Sequence, residues 1–125
     1  MNKFQKQITK FAEDRNWAQY HNPKDLLLGI VEEIGEFRNL IKWEQDSKKI
    51  AEVMAKKKLE VEDGIGDIYW FLALLANQTN VDIDEAITKV IENNQKRFPL
   101  KDSKNKHTNI NIGGHDGRDS KNREP

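Results

Sequence analysis

The chain has 125 residues, which is enough for one domain with a modest hydrophobic core. Its 21 Lys and Arg residues balance its 21 Asp and Glu residues, so the net charge favours neither nucleic acid nor an anionic membrane as a partner. It has no Cys, which excludes disulfides and thiolate metal sites, and no apolar run approaches the roughly 18 residues of a membrane span. The N-terminal segment lacks the apolar centre of a signal peptide, so we expect a cytoplasmic protein.

The first part of the chain predicts two helices joined by a connector. Apolar residues from Phe4 to Ala12 recur at helical spacing and predict a first helix that ends near Asn16. Residues 17–23 form a connector, because the residue before a proline is biased away from helix. A second helix is expected from about Asp25 to Trp43.

The next part of the chain predicts two more long helices after a charged stretch. Residues 44–63 are rich in charge and predict a short helix and a loop. A third helix is expected from roughly Leu59 to Asn77. A fourth covers residues 80–98, with Asp82 or Asp84 near its start and Pro99 just after its end.

The composition changes after Leu100, where the chain becomes polar and contains several glycines. We expect residues 1–100 to form one helical domain, and residues 101–125 to form an extended tail that is ordered only against a partner subunit. No pair of strands is indicated anywhere in the sequence. The predicted fold class is therefore all-α, with a four-helix bundle as the architecture.

The second predicted helix carries acidic residues inside its apolar face. On a helical wheel at about 100° per residue, its apolar arc contains Leu26, Leu27, Ile30, Val31, Ile34, Phe37, Leu40 and Ile41. Glu33 points into this arc, Glu36 lies at its edge, and Glu32 lies farther out. A carboxylate buried without a partner is costly or is forced to take up a proton, so these positions need an explanation.

The third predicted helix repeats the pattern. Asp67 points into its apolar arc, and Asp63 lies one turn earlier on the same side. Gly64 and Gly66 are expected to leave space around these acids. Acids on two facing helices could share a hard divalent cation, because Mg²⁺ prefers oxygen ligands and bridges to phosphates. Alternatively, the acids are solvated or paired with the many Lys and Arg residues.

Three segments resemble one known family. They read NWAQYHNPKDLLLGIVEEIGEFRNLIKW, GDIYWFLALLANQTNVDIDEAI and NNQKRFP. They are similar to the MazG-like all-α nucleotide pyrophosphohydrolases, in particular to the branch that resembles dCTP pyrophosphatases. The resemblance spans about Phe4 to Pro99. It implies an enzyme that uses Mg²⁺ or Mn²⁺ to hydrolyse a nucleoside triphosphate to monophosphate and pyrophosphate, in nucleotide-pool house-cleaning.

The resemblance also implies metal ligands. The family holds Mg²⁺ with a Glu-x-x-Glu pair, which falls on Glu33 and Glu36, and with a Glu-x-x-Asp pair, whose Asp falls on Asp67. These three residues are the implied catalytic set. The Glu of the second pair is replaced by Gly64, so either Asp63 or a water completes the metal site, or catalysis is reduced.

The literal Glu-x-x-Asp string of this chain, Glu60–Asp63, is interpreted as a coincidence. Using it would shift the third helix by four residues and lose the match to the downstream segment. One of Glu32, Glu33 or Asp63 is expected to assist as general base, and the sequence does not choose among them.

The resemblance further implies a nucleotide pocket. His21 and Trp43 match positions of that pocket, and Asn94 matches the Asn of the family's N-x-x-R-[FY]-P segment. Lys96 and Arg97 are candidates for neutralising triphosphate charge. Phe71 is expected to line the pocket or to pack between subunits.

Several of these residues also have a purely structural explanation. Trp43 could close the end of the core, His21 could be a turn residue satisfied by the backbone, and Lys96 and Arg97 could be a solvated helix end. Two functions compete with the enzyme: a regulatory nucleotide-binding protein without efficient catalysis, and a structural helical oligomer with ion-paired acids. In each case we expect a homodimer or homotetramer, because one bundle leaves apolar surface exposed.

Overall fold

The computed structural model describes residues 1–104, and these residues form helices and turns without any strand. The elements are α1 (Lys3–Asp14), a 3₁₀ turn (Trp17–Tyr20), α2 (Pro23–Arg38), α3 (Ser47–Lys56), α4 (Lys58–Gln78), α5 (Ile83–Arg97) and α6 (Leu100–Ser103). The all-α prediction is confirmed. The long helices α1, α2, α4 and α5 are the four predicted helices, and α3 is the predicted short one.

Asparagine side chains cap the first two long helices. The side-chain oxygen of Asn2 accepts a hydrogen bond from the backbone N–H of Gln5 at 2.8 Å, and that of Asn22 accepts one from Asp25 at 2.9 Å. Pro23 occupies the first turn of α2, where its missing N–H has no consequence. The cap at Asn22 places the start of α2 two residues earlier than the sequence predicted.

The prediction that the second helix reaches Trp43 is wrong, because α2 ends at Arg38. Beyond this point the backbone N–H groups of Leu40 and Ile41 bond to carbonyls three residues back rather than four. Such tightening is common at helix ends and here leads into a turn. Trp43 therefore lies outside the helix, with 85% of its surface exposed.

Helices α2 and α4 pack through two reciprocal contacts between a glycine and a phenylalanine. A Cβ atom added to Gly29 of α2 would lie 2.9 Å from Cε1 of Phe71, and one added to Gly64 of α4 would come closer still to Cδ2 of Phe37. Since the order of the two contacts is reversed between the helices, α2 and α4 run antiparallel. Each aromatic ring packs against the backbone that a glycine exposes because it has no side chain.

The buried core of residues 1–84 lies where α1 and α2 meet α4. Its fully buried members are Ala12, Leu26 and Leu74, packed against Ile8, Trp70, Phe71 and Leu75. Gln5 is buried with both ends of its amide satisfied: its Nε2 donates to the Val81 carbonyl, and its Oε1 accepts from the Ile83 N–H. This amide ties α1 to the turn after α4.

The described residues from Glu85 onward belong to a second compact unit, which contains most of α5 together with α6. Helix α6 covers the first residues of the predicted tail, so the tail does not begin as extended chain. The rest of that predicted tail, residues 105–125, lies outside the described residues. Within residues 1–104, no helix combines the length and the apolar character needed to cross a membrane.

Candidate functional site

An acidic cleft of about 190 Å³ lies between α2 and α4. It is lined by Glu33, Glu36, Phe37 and Leu40 from α2, and by Glu60, Asp63, Gly64 and Asp67 from α4. The structure thus brings the four predicted metal ligands, Glu33, Glu36, Asp63 and Asp67, to one place. It adds Glu60 as a fifth carboxylate.

The helical repeat explains why these residues share one cleft. The four lining residues of α2 and the four of α4 follow the same spacing, i, i+3, i+4 and i+7, which places each set on one face of its helix. The antiparallel packing then sets Glu33 near Asp67 at one end, and Leu40 near Glu60 at the other. The acids face one another because both helices carry the same pattern in opposite directions.

The carboxylates of the cleft repel one another. The pKa of Glu33 is raised above its ordinary value, first by partial desolvation and then by the negative charges of Glu36, Asp67 and Glu32. In the part of the chain that the structure describes, the ion pairs involve other acids, Asp82 and Asp14, and none neutralises a carboxylate of the cleft. Within residues 1–104, therefore, no ion pair supports the interpretation of these acids as paired with Lys or Arg.

The chemistry of the cleft fits a hard divalent cation. All its ligand atoms are carboxylate oxygens, which Mg²⁺ and Mn²⁺ prefer, and a cation would relieve the repulsion felt by Glu33. Among residues 1–104, however, no three acidic or histidine side chains are already close enough to hold an ion together. The side chains of the cleft would have to turn toward each other to do so.

The expectation of open space beside Gly64 is wrong. The ring of Phe37 lies directly against it, so a side chain at position 64 would displace the ring. The expectation holds for Gly66, where an added Cβ would meet no atom within 4 Å. The place at which the resemblance puts a glutamate is therefore filled by an aromatic ring of α2.

The sequence reasoning missed Glu60, Phe37 and Leu40 as lining residues of the cleft. The Glu60–Asp63 string breaks the register of the family resemblance, which is why the sequence gives Glu60 no role. Yet Glu60 and Asp63 both line the cleft, because they lie two turns and one turn before Asp67 on the same helix face. The shared i, i+3, i+4, i+7 spacing is the signal that could have found all three.

Three predicted nucleotide-binding residues lie in the first unit but do not line the cleft. His21 follows the 3₁₀ turn, and its ring meets that of Trp17 edge-on at 6.2 Å between centroids. Trp43 lies in the turn after α2, with the Lys42 ammonium 4.9 Å from its ring centroid. Phe71 packs against Gly29 as part of the helix interface.

The other three, Asn94, Lys96 and Arg97, lie in the last turns of α5, in the second unit. Asn94 is partly buried, and its carbonyl accepts the N–H of Phe98 at 2.9 Å, whereas Lys96 is exposed. The guanidinium of Arg97 lies 4.9 Å from the ring centroid of Phe98. Among residues 1–104, no hydrogen-bond partner is found for its buried Nη1 and Nη2 atoms.

The fold and the cleft define an all-α protein whose paired antiparallel helices carry facing carboxylates. The chain belongs to the MazG nucleotide pyrophosphohydrolase domain family, whose model matches residues 21–100. The family resemblance is thereby confirmed.

Curated relatives are dCTP pyrophosphatases of mammals. The chain is 30% identical to mouse dCTP pyrophosphatase 1 over 92 residues, which is 73% of this chain and 54% of the mouse protein. It is 29% identical to the human protein of that name over 108 residues, which is 83% of this chain and 64% of the human one. The chain thus spans between half and two thirds of the length of these relatives.

A solved structure supports the same fold. A pyrophosphatase from Archaeoglobus fulgidus superposes with a TM-score of 0.68 at 30% sequence identity. The match covers 74% of this chain and 85% of the archaeal one. The helical architecture is therefore that of a solved pyrophosphatase.

Proposed function

We propose that this protein is a Mg²⁺- or Mn²⁺-dependent pyrophosphohydrolase that converts a (deoxy)nucleoside triphosphate to its monophosphate and pyrophosphate. The observation that carries the proposal is the cleft of unneutralised carboxylates between α2 and α4 in a member of this family. The names of the mammalian relatives favour a deoxynucleotide as substrate. House-cleaning of the cytoplasmic nucleotide pool is the cellular role that we propose.

Glu33, Glu36 and Asp67 are the residues that would hold the cation, with Asp63 completing the set. When bound, the cation lowers the pKa of a water, orients the phosphates and offsets their charge. Proton transfer is left to side chains of the protein. One of Glu32, Glu33 or Asp63 is proposed to take the proton of the attacking water as general base.

The nucleotide itself is proposed to be held by residues outside the cleft. Trp43 presents a ring that is 85% exposed, so a base can stack on it without any change of the core. The guanidinium of Arg97 is proposed to bind a phosphate oxygen, and Lys96 adds a second positive charge. His21 of the first unit and Asn94 of the second are each proposed, separately, as a nucleotide contact. Phe71 has a structural role in the helix interface.

A second candidate function is nucleotide binding without efficient catalysis. Two observations favour it. The ring of Phe37 occupies the place that a carboxylate side chain at position 64 would take, and within residues 1–104 no three acidic side chains lie close enough together to hold a cation. A protein of this kind would bind a triphosphate and release little pyrophosphate.

Self-association is part of the proposal, as a homodimer or homotetramer. Apolar side chains at helical spacing on α2 and α4 remain exposed to between 42% and 65%: Leu27, Val31, Ile34, Ile65 and Leu72. Exposed apolar side chains that recur along a helix face are typical of an interface. A second copy of the chain is the partner that carries a matching surface.

Pyrophosphate release tests the proposed function. A panel of ribo- and deoxynucleoside triphosphates is incubated with the protein, with Mg²⁺, with Mn²⁺ and with a chelator, and pyrophosphate is measured. We expect cation-dependent release with a preference among deoxynucleotides. Nucleotide binding without release supports the second candidate, and neither binding nor release supports a structural oligomer.

A further inference from the structure

Phe37 and Gly64 make a contact inside the acidic cleft. Both residues line the cleft, and the ring of Phe37 lies against the bare Cα of Gly64. Phe37 follows Glu33 by one helical turn, and Gly64 precedes Asp67 by three residues, or about 4.5 Å along the helix axis. The contact therefore lies within one turn of the acids that face each other.

We propose that Phe37 is a positioning residue of the acidic cleft: by resting on Gly64, its ring sets the separation at which the carboxylates of α2 and α4 can share a cation. This inference rests on the proposed cation site and adds a residue that is not itself a ligand. It also gives Gly64 a function, as the surface on which the ring lies.

The physical reason is that helix packing tolerates a small change in the distance between the helices, whereas metal coordination does not. A methyl group at position 64 would collide with Cδ2 of Phe37 and lie 2.9 Å from its Cε2, so either the ring rotates away or the helices move apart. Mg²⁺ requires nearly ideal octahedral geometry at about 2.0–2.1 Å from each ligand oxygen. A small change of the helix separation is therefore enough to weaken cation binding while the fold persists.

The chain offers two matched controls. Gly66 lies two residues further along α4, and a Cβ there meets no atom within 4 Å, so Gly66→Ala adds the same methyl group without the contact. Leu74 is 3% exposed in the core and does not line the cleft, so Leu74→Ala destabilises the protein without touching the site. If lower stability alone weakens Mn²⁺ binding, Leu74→Ala should show the same loss of affinity.

The experiment measures Mn²⁺ affinity by electron paramagnetic resonance, with thermal unfolding and pyrophosphate release on the same samples. We expect Gly64→Ala to weaken Mn²⁺ binding by about 10-fold to 100-fold, the range found when groups that orient metal ligands are changed. Gly66→Ala and Leu74→Ala should bind Mn²⁺ as the unmodified protein does at a temperature where all are folded. Replacing the ring in the double variant Phe37→Leu/Gly64→Ala makes room for the methyl group and should restore most of the affinity.

Any of three results overturns the inference. They are unchanged Mn²⁺ affinity in Gly64→Ala, an equal loss in Leu74→Ala at matched stability, and failure of the double variant to recover affinity. If the unmodified protein binds Mn²⁺ and Gly64→Ala does not, yet neither releases pyrophosphate, the positioning role stands and the proposed hydrolysis fails. If the unmodified protein binds no Mn²⁺ at all, both fail.

Discussion

Asp67 of α4 acts electrostatically on Glu33 of α2 across the acidic cleft. Partial desolvation is the largest cause of the raised pKa of Glu33, and the charges of Glu36, Asp67 and Glu32 add to it. Without a cation, the ionised cleft stores like-charge repulsion at the contact between two helices. Cation binding would convert this repulsion into attraction, so the same residues that destabilise the empty cleft can hold a ligand.

We expect Asp67→Asn and Glu36→Gln each to abolish cation-dependent hydrolysis and to leave the helix content unchanged. Each removes a proposed ligand charge, while less repulsion should not lower stability. The loss should exceed about 100-fold, because changes beyond the ligands themselves already cost 10–100-fold. Glu62→Gln, on α4 but outside the cleft, is the matched control. Wild-type turnover in either variant contradicts the assignment, and marked unfolding by circular dichroism favours ion-paired structural acids.

The raised pKa of Glu33 predicts a dependence of stability on pH in the absence of divalent cations. The folded state holds this proton more tightly than the unfolded state, so the contribution of Glu33 to stability is full below its unfolded pKa. It is lost as the pH rises through the folded pKa. Glu33→Gln should therefore raise the melting temperature at pH 7, and the gain should shrink as the pH approaches the ordinary range of a glutamate. A gain that is independent of pH, or a loss at pH 7, contradicts this account.

Two substitutions decide how the chain compensates for the glycine at position 64. We expect Asp63→Asn to reduce activity nearly as much as Asp67→Asn, because Asp63 lines the cleft one turn before Asp67. We expect Gly64→Glu to lower stability by about 1–3 kcal/mol through collision with Phe37, and not to raise turnover. A Mg²⁺ titration of activity, with thermal unfolding beside it, measures both. Tighter Mg²⁺ binding by Gly64→Glu would show that the ring yields easily.

Trp43→Ala should weaken nucleotide binding more than it weakens the fold. Stacking of a base on an aromatic ring contributes about 1–3 kcal/mol, which corresponds to a loss of roughly 5-fold to 150-fold in affinity. The melting temperature should hardly change, since the ring is 85% exposed and lies beyond the end of α2. Titration calorimetry with a non-hydrolysable triphosphate gives the affinity. Unchanged affinity would remove Trp43 from the nucleotide pocket.

The exposed apolar side chains predict that one charge on α2 disrupts self-association. Val31 is 65% exposed at the centre of the series formed by Leu27, Val31 and Ile34, so Val31→Glu should shift the protein toward monomer without unfolding it. Gln7→Glu adds the same charge at an exposed position of α1 and is the control. Sedimentation equilibrium measures the mass. A monomeric unmodified protein, or an unchanged oligomer in Val31→Glu, contradicts the proposed interface.

The sequence by itself determined which residues share a helix face. Apolar periodicity and the two internal prolines located the long helices, and the 3.6-residue repeat was enough to place Glu33, Glu36 and Asp67 toward the helix interface. Helix boundaries were less accurate, as the early end of α2 shows, because caps and backbone tightening depend on a few local hydrogen bonds.

Only the tertiary structure decided what lies beside Gly64. In the sequence, a glycine within a helix predicts empty space, and it becomes a contact surface only when another helix brings a side chain to it. The antiparallel pairing of α2 with α4 brings Phe37 to that surface and places Glu60 and Asp63 in the same cleft. Periodicity assigns a residue to a face of its own helix, whereas the register between two helices depends on how distant side chains fit together in three dimensions.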